Sequence, residues 1–192
     1  ENKEINFLDC PEIKYIHFIG IDGISMSGLA EILLDLGYKV SGSDIKTSNK
    51  TLKLEKMGAK IYPYHSEDNI DSQDLVVYTA AISDNNPELR KARSLNIPVV
   101  DRATLLGQIM KKYNYCITVS GTHGKTTTTS MISTIMMEAG LDPTIHIGAE
   151  LDSIGGTTRL GSNNYLVAEA CEYRGSFLKF YPNMAVILNI EY

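Results

Sequence analysis

The chain has 192 residues, 43% of them hydrophobic and 21% charged, with a formal net charge of −5. That balance excludes a disordered chain and leaves room for one large domain or two small ones. With no dense basic cluster it also excludes a nucleic-acid partner, so any anionic ligand needs a locally built site.

The first apolar run, "YIHFIGI", follows a polar, acidic leader, so no signal peptide is expected. No stretch reaches the roughly 20 apolar residues of a membrane span. Cys10, Cys116 and Cys171 show no metal or redox spacing, which suits a reducing, cytoplasmic setting. Oligomeric state is not written in these features.

In chain order, "KYIHFIG" reads as a buried strand ended by glycine. "SMSGLAEILLDLG" reads as a helix with Leu29, Ile32, Leu33 and Leu36 on one face and Gly37 as its stop. "YKVSGSD" is a second strand and "NKTLKLEKMG" a second helix. "AKIY", "DLVVYTA" and "IPVV" follow as strands, with the helix "PELRKARSLN" between the last two. "RATLLGQIMKK" closes this half as a helix, and the basic residues of "RKARS" and "MKK" read as solvated faces.

The pattern then restarts. "YCITVSG" is a strand, "KTTTTSMISTIMMEAG" a long helix, "TIHIGAEL" only partly regular, and "YLVAEA" and "MAVILNI" two more buried strands. Strand–helix alternation with apolar strands predicts parallel sheets covered on both faces. The expected fold is therefore α/β: a Rossmann-like parallel-sheet domain over residues 1–112, then the start of a second, phosphate-loop α/β domain over 113–192. A chain stopping at "ILNIEY" is expected to be a fragment.

Two glycine-bearing turns carry the chemistry. "GIDGISMSG" lies between the first strand and first helix, where a doubly wound sheet presents free N–H groups to a phosphate. A dinucleotide fingerprint needs glycine at 20, 22 and 25; Asp22 and Ser25 break it, leaving another nucleotide or an unliganded turn. Ser25 suits the cap of the following helix. Asp44, ending the second strand, is either a ribose contact or a turn cap.

"VSGTHGKTTTTS" is the stronger signal, although Val119 stands where a phosphate loop has its first glycine. Gly121 and Gly124 supply flexibility, and the N–H groups of a helix opening at Lys125 face an anion. Lys125 would bridge the β- and γ-phosphates, and the Thr126 hydroxyl would reach Mg²⁺. Glu169, ending a buried strand, is either a further oxygen ligand for that ion or an exposed strand-end acid; Glu172 is the weaker candidate.

"IHFIGIDGISMSGLAEIL", "VSGSD", "DNNPEL", "VSGTHGKTTTTS" and "LVAEACEYRGSFL" together resemble the Mur ligase family, from about residue 14 to the end. "GTHGKTTT" with His123 resembles its alanine-adding branch and a murein-recycling relative, and "SMSGLAE" favours the former. The resemblance implies a UDP-substrate domain, a central ATPase domain present only in part, and an absent C-terminal domain that binds the amino acid. It implies ATP and Mg²⁺ as cofactors, UDP-N-acetylmuramate and L-alanine as substrates, and an acyl phosphate between them. The implied ATP site is Gly121, Thr122, His123, Gly124, Lys125, Thr126 and Thr127, with Thr126 and Glu169 at the metal and Lys125 and Glu169 catalytic. The implied UDP-substrate site is Gly20, Asp22, Gly23, Ser25, Met26, Ser27, Asp44, His65, Thr79, Ala80, Ala81, Ile82 and Arg102. His65 also reads as an ordinary loop histidine and Arg102 as a cap or surface residue. The family has glycine where this chain has Asp22, and that carboxylate is expected to repel a bound diphosphate. A stand-alone UDP-sugar or nucleotide sensor and an unrelated phosphate-loop NTPase remain competing readings.

Overall fold

The apolar run after Lys14 forms β1 (Tyr15–Ile19) in the computed structural model, which describes residues 7–191. The chain divides after Gln108 into two units. In the first, β1 is followed by α1 (Ile24–Asp35), β2 (Lys39–Ser43), α2 (Asn49–Lys56) and β3 (Lys60–Tyr62). Then come β4 (Leu75–Tyr78), α3 (Pro87–Ser94), β5 (Val99–Asp101) and α4 (Arg102–Met110). The sheet order is β3-β2-β1-β4-β5, and every pairing is parallel.

Local sequence accounts for these elements. Ser48 caps α2 and Thr51 answers it with a reciprocal bond, closing two free helix-end groups. Asn86 caps α3 with Pro87 in its first turn. Ile16, Phe18, Ile19, Leu29, Leu33 and Leu75 are fully buried. Each contributes about 1.5–3 kcal/mol of hydrophobic stabilisation. At Gly42 a Cβ would stand 2.5 Å from the Ile21 Cδ1 and 2.8 Å from the Phe18 carbonyl, so the second strand must carry glycine there. Strand order reverses between β1 and β4, and the turns after those strands flank the crevice where open parallel sheets bind ligands.

The second unit holds β6 (Tyr115–Ser120), α5 (Lys125–Glu138), β7 (Thr144–Leu151), β8 (Gly156–Arg159), β9 (Tyr165–Ala170) and β10 (Met184–Ile187). Its order is β10-β6-β9-β7-β8. The β6, β9, β7 and β10 pairings are parallel, but β7 and β8 pair antiparallel. The sheet is therefore mixed, a departure from the expected purely parallel one. Gly155, at φ 67°, adopts the left-handed conformation that lets the chain turn back into β8. β10 is also not buried as expected: it lies at the sheet edge, and Met184 and Ile187 are 60% and 66% exposed. Among the described residues no helix is long and apolar enough to cross a membrane.

Candidate functional site

In the first unit, the turn after β1 packs against the turn after β4. Gly20, at φ 84°, leaves space bordered by the side chains of Thr79 and Ile82. Thr79 orders its own turn by accepting the Ala81 N–H at 3.0 Å and the Ile82 N–H, through its carbonyl, at 3.0 Å. Ala80, Ala81 and Gly23 are exposed, whereas Met26 and Ser27 are each 1% exposed and face the core. Gly23 is the cap of α1 and has no side-chain partner there, so Ser25 does not cap the helix. Ser25 instead accepts the Arg102 Nη1–H at 2.9 Å, which ties the turn to the start of α4. Asp101 occupies the capping role at that helix by accepting the N–H groups of Ala103 and Thr104.

Asp22 is placed differently from expectation. Its carboxylate accepts the Ser48 hydroxyl at 2.5 Å and stands 3.6 Å from the Lys50 Nζ, so it is turned to the start of α2 and carries a counter-ion. Among the described residues only Asn96 and Asp142 have positive φ without being glycine, so Asp22 takes no glycine-like backbone strain. Asp44 accepts the backbone N–H groups of Asp22 at 3.0 Å and Lys46 at 3.1 Å. It acts here as a turn cap that joins the ends of β1 and β2.

His65 belongs to a buried polar cluster that sequence patterning did not reveal. Glu88, fully buried in the first turn of α3, accepts the Ser43 hydroxyl at 2.5 Å, the Asn69 amide at 2.7 Å and a bond with His65 Nδ1 at 3.0 Å. His17 Nε2 stands 3.4 Å from the same carboxylate without hydrogen-bond geometry. Burial alone would push the Glu88 carboxyl up. The His17 imidazole, then Ser43 and Asn69, more than offset it and hold the carboxyl below its ordinary range. The other ring nitrogen of His17, Nδ1, meets Ser41 Oγ at 2.9 Å.

In the second unit, β6 runs through Ser120 and Val119 is fully buried within it, paired with Glu169 on β9 and Val186 on β10. The missing glycine is thus a sheet position, and the loop proper starts at Gly121. Gly121 (φ 147°) and Gly124 (φ 85°) both have positive φ, and Gly124 caps α5 without a side chain. Thr122, His123, Gly124 and Thr127 are exposed at the helix start, with Thr126 half-buried. Lys125 curls back over the loop: its Nζ donates to the Gly121 carbonyl, to the Thr122 carbonyl at 3.3 Å and to Glu172 Oε1 at 3.2 Å, and forms an ion pair with Glu172 Oε2 at 3.0 Å. Glu172's own backbone N–H, and next Lys125, hold its carboxyl below the ordinary range.

The pairing of Ser120 with Ala170 sets Glu169 beside the strand that feeds the loop. Glu169 Oε1 is buried with no hydrogen-bond partner, and Oε2 lies 3.1 Å from where a Cβ on Gly148 would stand. Among the described residues no cluster of three His, Cys, Asp or Glu could hold a metal alone. An unpartnered carboxylate oxygen on β9 and a threonine hydroxyl in the first turn of α5 are hard oxygen donors of the kind Mg²⁺ takes, with waters and substrate phosphates as its other ligands. Asn189, just beyond β10, grips the loop from outside: its Oδ1 accepts the His123 N–H and its Nδ2 donates to the His123 carbonyl, each at 3.0 Å. Sequence reading missed it, because an asparagine after a strand carries no distinctive signal.

These features define a chain with two α/β units, one with a Rossmann-like parallel sheet and one with a glycine-bearing loop between a buried strand and a helix. The model of the Mur ligase family catalytic domain matches residues 15–114, and that of the Mur ligase middle domain matches residues 119–192. The chain belongs to the Mur ligase family. It is 69% identical over 189 residues to a UDP-N-acetylmuramate–L-alanine ligase of Acetivibrio thermocellus, covering 98% of this chain and 40% of the relative. It is 59% identical over 184 residues to the same-named ligase of Caldanaerobacter subterraneus, covering 96% of this chain and 40% of the relative. The crystal structure of UDP-N-acetylmuramate-alanine ligase from Thermotoga maritima matches with a TM-score of 0.79 at 37% identity, over 90% of this chain and 40% of that one. A Neisseria ligase that joins UDP-N-acetylmuramate to L-alanyl-γ-D-glutamyl-meso-diaminopimelate matches with a TM-score of 0.84 at 30% identity, over 94% and 61%. The chain spans about two fifths of the length of the curated relatives it matches.

Proposed function

We propose that the protein containing this chain is an ATP-dependent, cytoplasmic ligase that joins L-alanine to UDP-N-acetylmuramate, an early step of peptidoglycan precursor synthesis. In this reading residues 1–112 hold the UDP part of the substrate and 113–192 form part of the ATP-binding domain. The observation that carries it is the second unit's geometry: Lys125 at a helix start, with the unpartnered Glu169 carboxylate on the adjoining strand. The higher identity to alanine-adding relatives favours L-alanine over a peptide as the amine.

The reaction follows from those parts. A lactyl carboxylate oxygen attacks the γ-phosphorus of ATP, the bond to the β-phosphate oxygen breaks, and ADP leaves. The L-alanine amine attacks the resulting acyl carbon and loses a proton, and inorganic phosphate departs. Lys125 leaves Glu172 and the loop carbonyls to neutralise charge on the transferring phosphoryl group. The N–H groups of the Gly121 to Thr127 segment cradle the phosphates, except that of His123, which Asn189 already holds. Thr126 and Glu169 would hold Mg²⁺, which would supply further charge neutralisation at the phosphates. The turn from Gly20 to Ser27, with Asp44, His65, Thr79 to Ile82 and Arg102, would hold the UDP part. Asp44 would act there through the backbone it orders, and Met26 and Ser27 from beneath the turn.

Titration calorimetry on the longer protein tests the two sites separately. UDP-N-acetylmuramate and Mg-ATP are each expected to bind at one site per chain, and Lys125→Ala is expected to lose only the second. A protein that binds Mg-ATP but never the UDP-sugar would overturn the assignment of UDP-N-acetylmuramate as its substrate.

A further inference from the structure

The phosphate loop is shaped from outside by the residues that follow β10. Leu188 N–H donates to the Ser120 carbonyl at 3.0 Å, extending the ladder one residue beyond the strand. At the next position the Asn189 side chain replaces the ladder. One amide group both accepts from and donates to His123, as a neighbouring strand would, at 3.0 Å for each bond. Around Gly121 the same pair of residues closes the space. A Cβ there would stand 3.1 Å from Leu188 Cβ and 3.3 Å from both the Asn189 N and Oδ1. At Gly124 a Cβ would stand 3.3 Å from Leu188 Cδ1. The His123 side chain meanwhile is 77% exposed, with only a 3.7 Å approach to Glu191. The backbone of His123, not its imidazole, is the fixed feature of the loop.

We infer that Asn189 is a positioning residue for phosphoryl transfer: it holds the loop in its anion-ready shape before nucleotide arrives, acting through the His123 backbone on the N–H cradle and on Lys125. This rests on the phosphate-loop reading above. Only an amide matches the site. A carboxylate at 189 keeps the bond to the His123 N–H but sets oxygen against the His123 carbonyl, and a leucine of similar volume loses both bonds.

The test uses the longer protein with Mg-ATP as the probe and two variants, Asn189→Leu and Asn189→Asp. Two neutral hydrogen bonds contribute about 1 kcal/mol each. If the loop must be ordered by the nucleotide instead, Mg-ATP affinity falls about thirtyfold in Asn189→Leu, at tenfold per 1.4 kcal/mol. The affinity for UDP-N-acetylmuramate is expected to stay within twofold, and hydrogen exchange at the His123 amide to speed up in the nucleotide-free variant. Asn189→Asp is expected to weaken Mg-ATP binding as well, because its carboxylate sets a second oxygen against the His123 carbonyl. Mg-ATP binding by Asn189→Leu within threefold of wild type, or unchanged exchange at His123, overturns the inference. Wild-type protein that binds no Mg-ATP sinks the phosphate-loop reading and the positioning role with it, an outcome separate from equal binding by wild type and variant.

Discussion

Replacing Asp22 with glycine sets two pictures of the first turn against each other. From sequence alone, a carboxylate about 5 Å from a bound diphosphate, at an effective dielectric of about 20, repels it by about 3 kcal/mol. Asp22→Gly would then bind UDP-N-acetylmuramate about 150-fold more tightly in low salt. The structure changes the balance. The carboxylate is 14% exposed, accepts the Ser48 hydroxyl, and stands 3.6 Å from Lys50, so its charge is matched by a cation on α2. A hydrogen bond to a charged group contributes about 1.5–3 kcal/mol, and the Lys50 pair, partly in solvent, adds little. Asp22→Gly is therefore expected to destabilise the first unit by about 2 kcal/mol, lowering its thermal midpoint by about 10 °C. UDP-N-acetylmuramate affinity is expected to change by less than fivefold at any salt concentration. Scanning calorimetry, with the second unit's transition as internal control, and titration in metal-free buffer measure both quantities. An unchanged midpoint together with binding a hundredfold tighter in low salt would refute the anchoring of Asp22.

Lys125→Ala in the longer protein is expected to reduce turnover a hundredfold or more while leaving UDP-N-acetylmuramate binding unchanged; near-normal turnover removes the lysine from the phosphoryl step. Glu88→Gln strips the buried cluster of its charge and is expected to destabilise the first unit by about 3 kcal/mol near neutral pH. Because the Glu88 carboxyl is held below its ordinary value of 4.5, its stabilisation is present above that value and is lost as pH falls through the folded-state value. Wild type and variant should thus converge on acidification, and a gap that persists undiminished under acid contradicts the assignment. Burial pushes the Cys116 thiol up to about 12, so native protein at pH 8 should leave it unalkylated by iodoacetamide while the half-buried Cys10 and Cys171 react. Peptide mass mapping reads this directly, and rapid labelling of Cys116 would contradict it.

The first sheet was legible in the sequence because its strands are short apolar runs punctuated by Gly20, Gly37 and Gly58, and each glycine sits at positive φ as a turn requires. β8 escaped because "GTTR" lacks an apolar run and pairs antiparallel, where only one face need be buried. Helix α5 was found by its caps and length, yet its burial is inverted. Thr129 and Ser133 are fully buried while Met131 and Ile135 are 61% and 66% exposed. A run of β-branched hydroxyl residues carries little periodic contrast from which to choose a face. At the sites, the backbone features were legible, since Gly121, Gly124 and the helix start at Lys125 follow from residue type. The side-chain couplings were not. Asp22 with Ser48, Glu88 with His65, and Asn189 with His123 join residues 26, 23 and 66 positions apart. Only the fold brings such pairs together.

In the proposed reaction the phosphate loop drives amide-bond formation on a UDP-linked sugar acid. Incubating the longer protein with Mg-ATP, L-alanine and UDP-N-acetylmuramate labelled with ¹⁸O in its lactyl carboxylate tests it most directly. The expected products are UDP-N-acetylmuramoyl-L-alanine in step with ADP, with one ¹⁸O atom transferred to each inorganic phosphate released. ATP hydrolysis that proceeds at the same rate without the sugar substrate, yielding unlabelled phosphate and no amide, would contradict it.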